Sequence, residues 1–243
     1  MSAVKTYRRL ARRAAAVAAT TALSLTLAAC GGDETEAPGG DPDASPADVL
    51  AAAKTRIDET SGVRLELATD ATPEGDYLGS AAGVIVVDPP AFEGKAAGRF
   101  AGLSASDVGV VSVDGVFYAN IIGGFTELDR PRCVPDPAGL LDPDTGISSI
   151  LAQATDLQQG DAERGGDNND EIFTPYTATV PGPAIKNILP CAPGTSFDAT
   201  FTVDDAGELR GIDLTGDFFE GTDELTYTIT VEDYDVEQEI AKP

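Results

Sequence analysis

The chain is 243 residues long and carries 41 Asp and Glu against 16 Lys and Arg, a net charge of −25 at neutral pH. A surface this acidic repels phosphate backbones and anionic headgroups, which all but excludes nucleic acid as a partner. The complete absence of His removes the commonest general base and metal ligand, and with them every Ser-His-Asp or Cys-His catalytic arrangement.

The basic residues cluster at the start. Lys5, Arg8, Arg9, Arg12 and Arg13 precede an apolar run over residues 14–29 that closes on Leu27-Ala28-Ala29-Cys30. A charged segment, a short apolar segment and small residues before a cleavage point form a secretory signal. A Cys directly after Leu-Ala-Ala resembles the lipobox of bacterial lipoproteins, in which that thiol takes a diacylglyceryl group and becomes the first residue. The alternative is a plain secretory signal with an incidental Cys30. A membrane-spanning helix fits less well, because about 16 apolar and small residues fall short of the ~20 a span needs. Five of the 16 basic residues and none of the 41 acidic ones precede Cys30, so the cleaved chain would carry a net charge of −30. Two or three acyl chains on Cys30 would hold it stably on a membrane face outside the cytoplasm. Arg8-Arg9 raises a twin-arginine export route, but its flanking residues match that motif poorly.

With Cys30 lipidated, Cys133 and Cys191 remain as a pair in an oxidising compartment. Both sit in Pro-rich loops, Arg132-Cys133-Val134-Pro135 and Pro190-Cys191-Ala192-Pro193. A disulfide would close a loop of roughly 60 residues and contribute about 4 kcal/mol on the chain-entropy model. Two free thiols or a redox couple are the alternatives, although the CxxC spacing of a redox motif is missing.

Residues 31–43 are Gly, Pro, Asp and Glu with almost nothing apolar, the composition of an acidic tether. Ser45 then caps a helix with Pro46 at its first position and Asp48 completing the cap, and Val49, Leu50, Ala53 and Ile57 form one stripe. Gly62 is expected to end it. The period then changes to two. Leu65 and Leu67 alternate with polar neighbours, and strands follow over residues 82–87 and 92–102. Residues 108–113 and 116–122 form a hairpin through a type I′ turn at Asp114-Gly115, which places Ser112 opposite Phe117 and Val110 opposite Ala119. Residues 123–145 are expected as a long loop. A helix capped by Asp144 or Thr145 spans 146–155 with Ile147, Ile150, Leu151 and Ala154 on one face. A strand over 171–180 leads to a short helix at 184–189. Three alternating strands follow: 197–203, 209–215 and 225–232.

Strands with one apolar and one polar face make an antiparallel sheet with a wet side. Three helices are too few to cover both faces, so the expected fold is α+β: a curved antiparallel sheet, or half-barrel, around a few helices. The expected division is residues 1–29 as signal peptide, 30–45 as lipidated Cys and tether, and 46–243 as one domain. Among all 243 residues there is no P-loop, GxGxxG or EF-hand spacing, and no cofactor is expected.

Leu140-Leu141-Asp142-Pro143-Asp144-Thr145-Gly146-Ile147, entering the second helix, resembles a segment of the actinobacterial LppX/LprG lipoprotein family. Val113-Asp114-Gly115-Val116-Phe117-Tyr118-Ala119 resembles that family's central hairpin, and Ser61-Gly62-Val63-Arg64-Leu65 its first helix-to-strand joint. The order of elements agrees from about residue 47 to 233. The resemblance implies a hydrophobic cavity between sheet and helices that holds acylated lipids or glycolipids on their way to the outer envelope. It also leaves room for a membrane transporter as partner. The cysteine pair and the strong charge depart from the family's best-known members.

One physical feature bears on the cavity independently. Opposite Glu93, Lys95 and Arg99, the core face of one strand is built from Gly94, Ala96, Gly98 and Gly102, leaving volume that helices fill or a ligand occupies. With the resemblance, the expected cavity residues are Leu65, Leu67, Val84, Ala96, Gly98, Phe100, Val110, Phe117, Ile147, Ile150 and Leu151. A scaffold lipoprotein without lipid cargo is the alternative function. A carboxylate hydrolase fits poorly, because the acids lie at turns or face solvent.

Overall fold

A computed structural model describes residues 44–131, 133–166 and 169–243. The expected signal peptide, Cys30 and residues 31–43 of the expected tether therefore lie outside the described residues. Helix α1 (Pro46–Asp58) starts as expected: Ser45 accepts from the Asp48 N–H while Asp48 accepts from Ser45. Leu50, Ala53 and Ile57 are its buried stripe. The helix ends at Asp58, and Gly62 opens the next strand instead of capping the helix. A Cβ there would run into the Ile85 carbonyl oxygen at 2.6 Å, so the glycine serves close strand approach.

Among the described residues twelve strands form one antiparallel sheet. They are β1 (Gly62–Ala68), β2 (Tyr77–Val87), β3 (Pro90–Phe100), β4 (Leu103–Val113), β5 (Val116–Asn120), β6 (Phe125–Leu128), β7 (Thr155–Gln159), β8 (Glu163–Gly165), β9 (Glu171–Pro181), β10 (Ser196–Asp204), β11 (Leu209–Gly216) and β12 (Leu225–Tyr234). Their order is β6-β5-β4-β3-β2-β1-β12-β11-β10-β9-β7, with β8 paired to β9. The sheet is open: β6 and β7 are its two ends and do not pair with each other. The β4–β5 hairpin has the expected register, Ser112 opposite Phe117 and Val110 opposite Ala119. Positive φ at both Asp114 and Gly115 (55° and 73°) fits the type I′ turn.

Helices α2 (Ser148–Gln153) and α3 (Gly182–Ile188) complete a short helical layer with α1. These three pack on one another and on β7, β9 and β11, which is one half of the sheet. That half has a filled core of Phe197, Phe201, Leu209, Ile212, Leu214 and Tyr227, each at most 1% exposed. The element that packs over β2, β3 and β4 among the described residues is a 3₁₀ turn, Pro137–Gly139. Residues 123–145 are therefore more than a loop, since they contain both β6 and this turn.

The outer face is also partly covered. After β12 the chain runs back over β2–β5, where Ile240 joins Val84, Val86, Ala91, Val111, Val113 and Tyr118 in a second apolar cluster. Gln238 donates to Glu93 at 2.8 Å, and the Lys242 ammonium lies 5.5 Å from the centre of the Tyr118 ring. This strap explains why the end of β2 is apolar on both faces. Val84 points outward beneath the strap, and its neighbour Ile85 points into the main core.

Candidate functional site

The half of the sheet that the helices leave bare borders a cavity of about 280 Å³. The sequence makes this space by small side chains at matching positions. Ala81 on β2 lies directly opposite Ala96 on β3, and Val108 on β4 flanks Ala96 on the other side. Ala105 and Ala119 add two more short side chains to the wall. Larger residues also line it: Leu65 and Leu67 from β1, Phe92 and Phe100 from β3, Phe117 from β5.

Bulges shape this half. The β2–β3 register slips between Leu78 and Ser80, and the β3–β4 register between Ala96 and Gly98. Each slip reverses the alternation, so on β4 the cavity residues are Leu103 and Ala105 before it and Val108 and Val110 after it. Bulges also bend and twist the strands, which curls the sheet edge over the cavity.

The opposite wall is Asp129, Pro131, Val134, Pro135, Pro137 and Leu140 together with Ile147, Ile188 and Leu189. Three devices hold it. A disulfide joins Cys133 to Cys191, with Cα atoms 5.1 Å apart, tying the Pro-rich loop to the end of α3. The buried Ser112 hydroxyl donates to Asp136 at 2.8 Å, and the same carboxylate accepts from the Ala138 N–H. Arg130 approaches the other oxygen of Asp136 at 3.2 Å.

The third device is the Asp-Pro-Asp-Thr-Gly segment. Asp142 accepts from the Asp144 N–H, the Thr145 N–H and the Thr145 hydroxyl. The Thr145 hydroxyl in particular holds the Asp142 carboxyl below its ordinary value. Gly146 N–H donates to the Asp142 carbonyl and Ile147 N–H to that of Leu140, closing the loop on itself. A Cβ at Gly146 would run into the Leu140 carbonyl oxygen, so only glycine fits. The result sets Leu140 and Ile147 side by side against the cavity. Asp142 thus organises the turn in place of the expected Asp144 or Thr145 cap, and α2 begins only at Ser148, with no side-chain cap on Ile147. Ser148 donates to Asp58 at 2.6 Å and Lys54 donates to the Pro143 carbonyl, which fastens the segment to α1.

Of the residues singled out from the sequence, Leu65, Leu67, Ala96, Phe100, Val110, Phe117 and Ile147 line this one cavity. Four lie elsewhere. Val84 faces outward under the C-terminal strap. Ile150 and Leu151 are buried in the main core on α2 without reaching the cavity wall. Gly98 is occupied by its neighbour strand: a Cβ would strike the Tyr77 carbonyl oxygen, and at Gly94 it would strike that of Ala82. These glycines allow close approach of β2 and do not create the cavity's volume. Among the lining residues Asp129 alone carries a formal charge, and it is exposed at the edge. Among the described residues there is no cluster of ligand side chains that could hold a metal, and no helix long and apolar enough to cross a membrane.

An open antiparallel sheet curled over short helices, with a carbon-lined cavity under its bare half, defines a half-barrel with an internal apolar chamber. The solved structures of LprF from Mycobacterium bovis and LppX from Mycobacterium tuberculosis have a similar fold. Their TM-scores are 0.68 and 0.57 at 14% and 16% identity, each covers 82% of this chain, and 96% and 100% of the respective structures are matched. The family model described as LppX_LprAFG lipoprotein matches residues 45–241, and the chain belongs to that family. Relatives named lipoarabinomannan carrier protein LprG occur in Mycobacterium tuberculosis and Mycolicibacterium hassiacum. The first is 28% identical over 195 residues, covering 74% of this chain and 81% of the relative. The second is 28% identical over 226 residues, covering 92% and 94%.

Proposed function

We propose that this protein is a membrane-tethered, non-enzymatic carrier that holds the acyl chains of a lipid or glycolipid in its cavity and delivers them toward the outer envelope. The observation that carries the reading is the chamber itself, about 280 Å³ walled by carbon with one carboxylate at its edge. Its size is close to the ~300 Å³ lower bound of small-molecule sites, and its wall is more apolar than theirs. An acyl chain entering water costs about 0.8 kcal/mol per methylene. Passing from a bilayer into a hydrocarbon-like chamber avoids that cost, so loading and release are both near balance, as a carrier requires. The names of the LprG relatives support the same class of cargo. Cys30, if lipidated, keeps the domain at the membrane outside the cytoplasm, where its cargo is made available.

Native mass spectrometry of the exported protein, released intact from its host membrane, tests this. The reading expects bound species that release acylated lipids on denaturation. A protein that is reproducibly empty contradicts it.

A further inference from the structure

The cavity wall does not stop at the cavity. Leu103 and Ile121 line it and are also 74% and 63% exposed, so one continuous apolar surface runs from the chamber to the outside. Both sit at hairpin tips: Leu103 follows the β3–β4 turn at Ala101-Gly102, and Ile121 begins the β5–β6 turn, which also carries Ile122 at 93% exposure. Phe125 closes that second turn with its ring over Gly109.

Charge singles out the same place. The protein is 23% charged, yet residues 100–106 and 116–126 contain no Asp, Glu, Lys or Arg. On the neighbouring strands Lys95 and Asp107 pair with each other at 3.0 Å. Asp76, beneath the first turn, accepts from the Gly102 and Ala101 N–H groups at 2.9 Å, and these bonds, with Arg99 as a smaller influence, hold its carboxyl below the ordinary value. That carboxylate is therefore part of the turn.

We infer that these two hairpin tips are a membrane-docking surface: Leu103, Ile121 and Ile122 enter the interfacial layer of a lipid bilayer, with the cavity opening onto it. Acidic surfaces are repelled by anionic lipid, so an otherwise strongly acidic protein approaches a bilayer best through its charge-free patch. The backbone of the tips needs water or headgroups for its unpaired groups, so only side chains pass the headgroup level. A bilayer accepts such loose apolar tips, whereas a protein partner would be expected to match them with a shaped, polar-rimmed patch. Within the carrier reading, on which its purpose rests, this surface is where acyl chains cross without meeting water.

The absence of Trp makes the test direct. The full exported chain, as wild type, Ile122→Trp, Leu103→Trp and Thr230→Trp, is reconstituted in phosphatidylcholine vesicles with and without bromine-labelled acyl chains. Thr230 is exposed on the polar face of β12 and controls for mere tethering. The inference expects blue-shifted emission and loss of most of its intensity to bromolipid at positions 122 and 103, with none at 230. Aqueous, unquenched emission at both tip positions overturns it. A blue shift that needs protein concentration but no vesicles also overturns it, in favour of a second copy as the occupant. Co-purified lipid measured on the same preparations separates the two proposals: lipid with unquenched tips removes docking alone, and quenched tips without lipid remove the carrier alone.

Discussion

Replacing Ala96 with Leu distinguishes a chamber from a core. Ala96 faces the cavity between Ala81 and Val108, and the added isopropyl group has empty space ahead of it. In a tightly packed interior the same change forces neighbours off their rotamers at ~1–3 kcal/mol. Here three added carbons lie against a carbon wall, and at ~0.8 kcal/mol each the delipidated protein is expected to gain up to about 2 kcal/mol. For a domain of this size that is a rise in Tm of about 4–8 °C at most, since 1 kcal/mol corresponds to ~2–4 °C. The same carbons displace cargo, so bound lipid should fall clearly. Gly94→Ala is the contrast, because its Cβ runs into the Ala82 carbonyl oxygen and the Phe92 ring. It should lower the Tm of the delipidated protein although it adds only one carbon. Thermal unfolding of delipidated protein and mass-spectrometric lipid content on the same batches are the two readouts. The reasoning fails if Ala96→Leu lowers Tm as far as Gly94→Ala while lipid content stays at the wild-type level.

Cys30→Ser should abolish lipidation and shift the protein from the detergent to the aqueous phase in phase partitioning; unchanged partitioning would contradict the lipobox reading. Thiol alkylation of denatured, non-reduced protein should find Cys133 and Cys191 blocked, and Cys191→Ala should lower the unfolding midpoint by up to the ~4 kcal/mol equivalent of the loop entropy. Ile240→Ala removes about three buried carbons from the strap over Val84 and Val111, so denaturant unfolding should show a loss of about 2 kcal/mol. Asp142→Ala should destabilise the Leu140–Ile147 turn at neutral pH. Because the folded carboxyl titrates below its ordinary 3.8, its contribution is present above that value and lost as pH falls through the folded pKa. The stability difference between wild type and variant should therefore narrow below pH 3.8 in acid titrations followed by circular dichroism.

Strict alternation made β10 and β12 legible, because each keeps one apolar and one polar face at side-chain period two, and the β4–β5 hairpin was legible from its Asp114-Gly115 turn. The outer halves of β2 and β4 were not legible. Their bulges insert a residue, so Leu78 and Ala81, or Ala105 and Val108, share a face at a spacing of three. Val84 was misplaced for another reason: the run Val84-Ile85-Val86-Val87 is apolar on both faces, and the C-terminal strap, distant in sequence, shows which side belongs to which core. The small-residue signal on β3 was correct at Ala96 and misleading at Gly94 and Gly98, where the missing side chain admits the next strand's backbone. The roof over the cavity had no local signal. Its apolar Val134, Pro135 and Leu140 gain their role from the Cys133–Cys191 and Ser112–Asp136 links, both made across long stretches of chain.

The central claim, that acyl chains occupy the space between β3, β4, β5 and the Leu140–Ile147 turn, is tested most directly by photocrosslinking. A phosphatidylcholine bearing a diazirine midway along one acyl chain is loaded into the delipidated protein, irradiated, and the adducts mapped by peptide sequencing. The account predicts adducts at Ala96, Val110, Phe117 and Ile147, sharply reduced in Ala96→Leu. Adducts confined to the outer face around Val84 and Tyr118, with none at the four cavity positions, would contradict it.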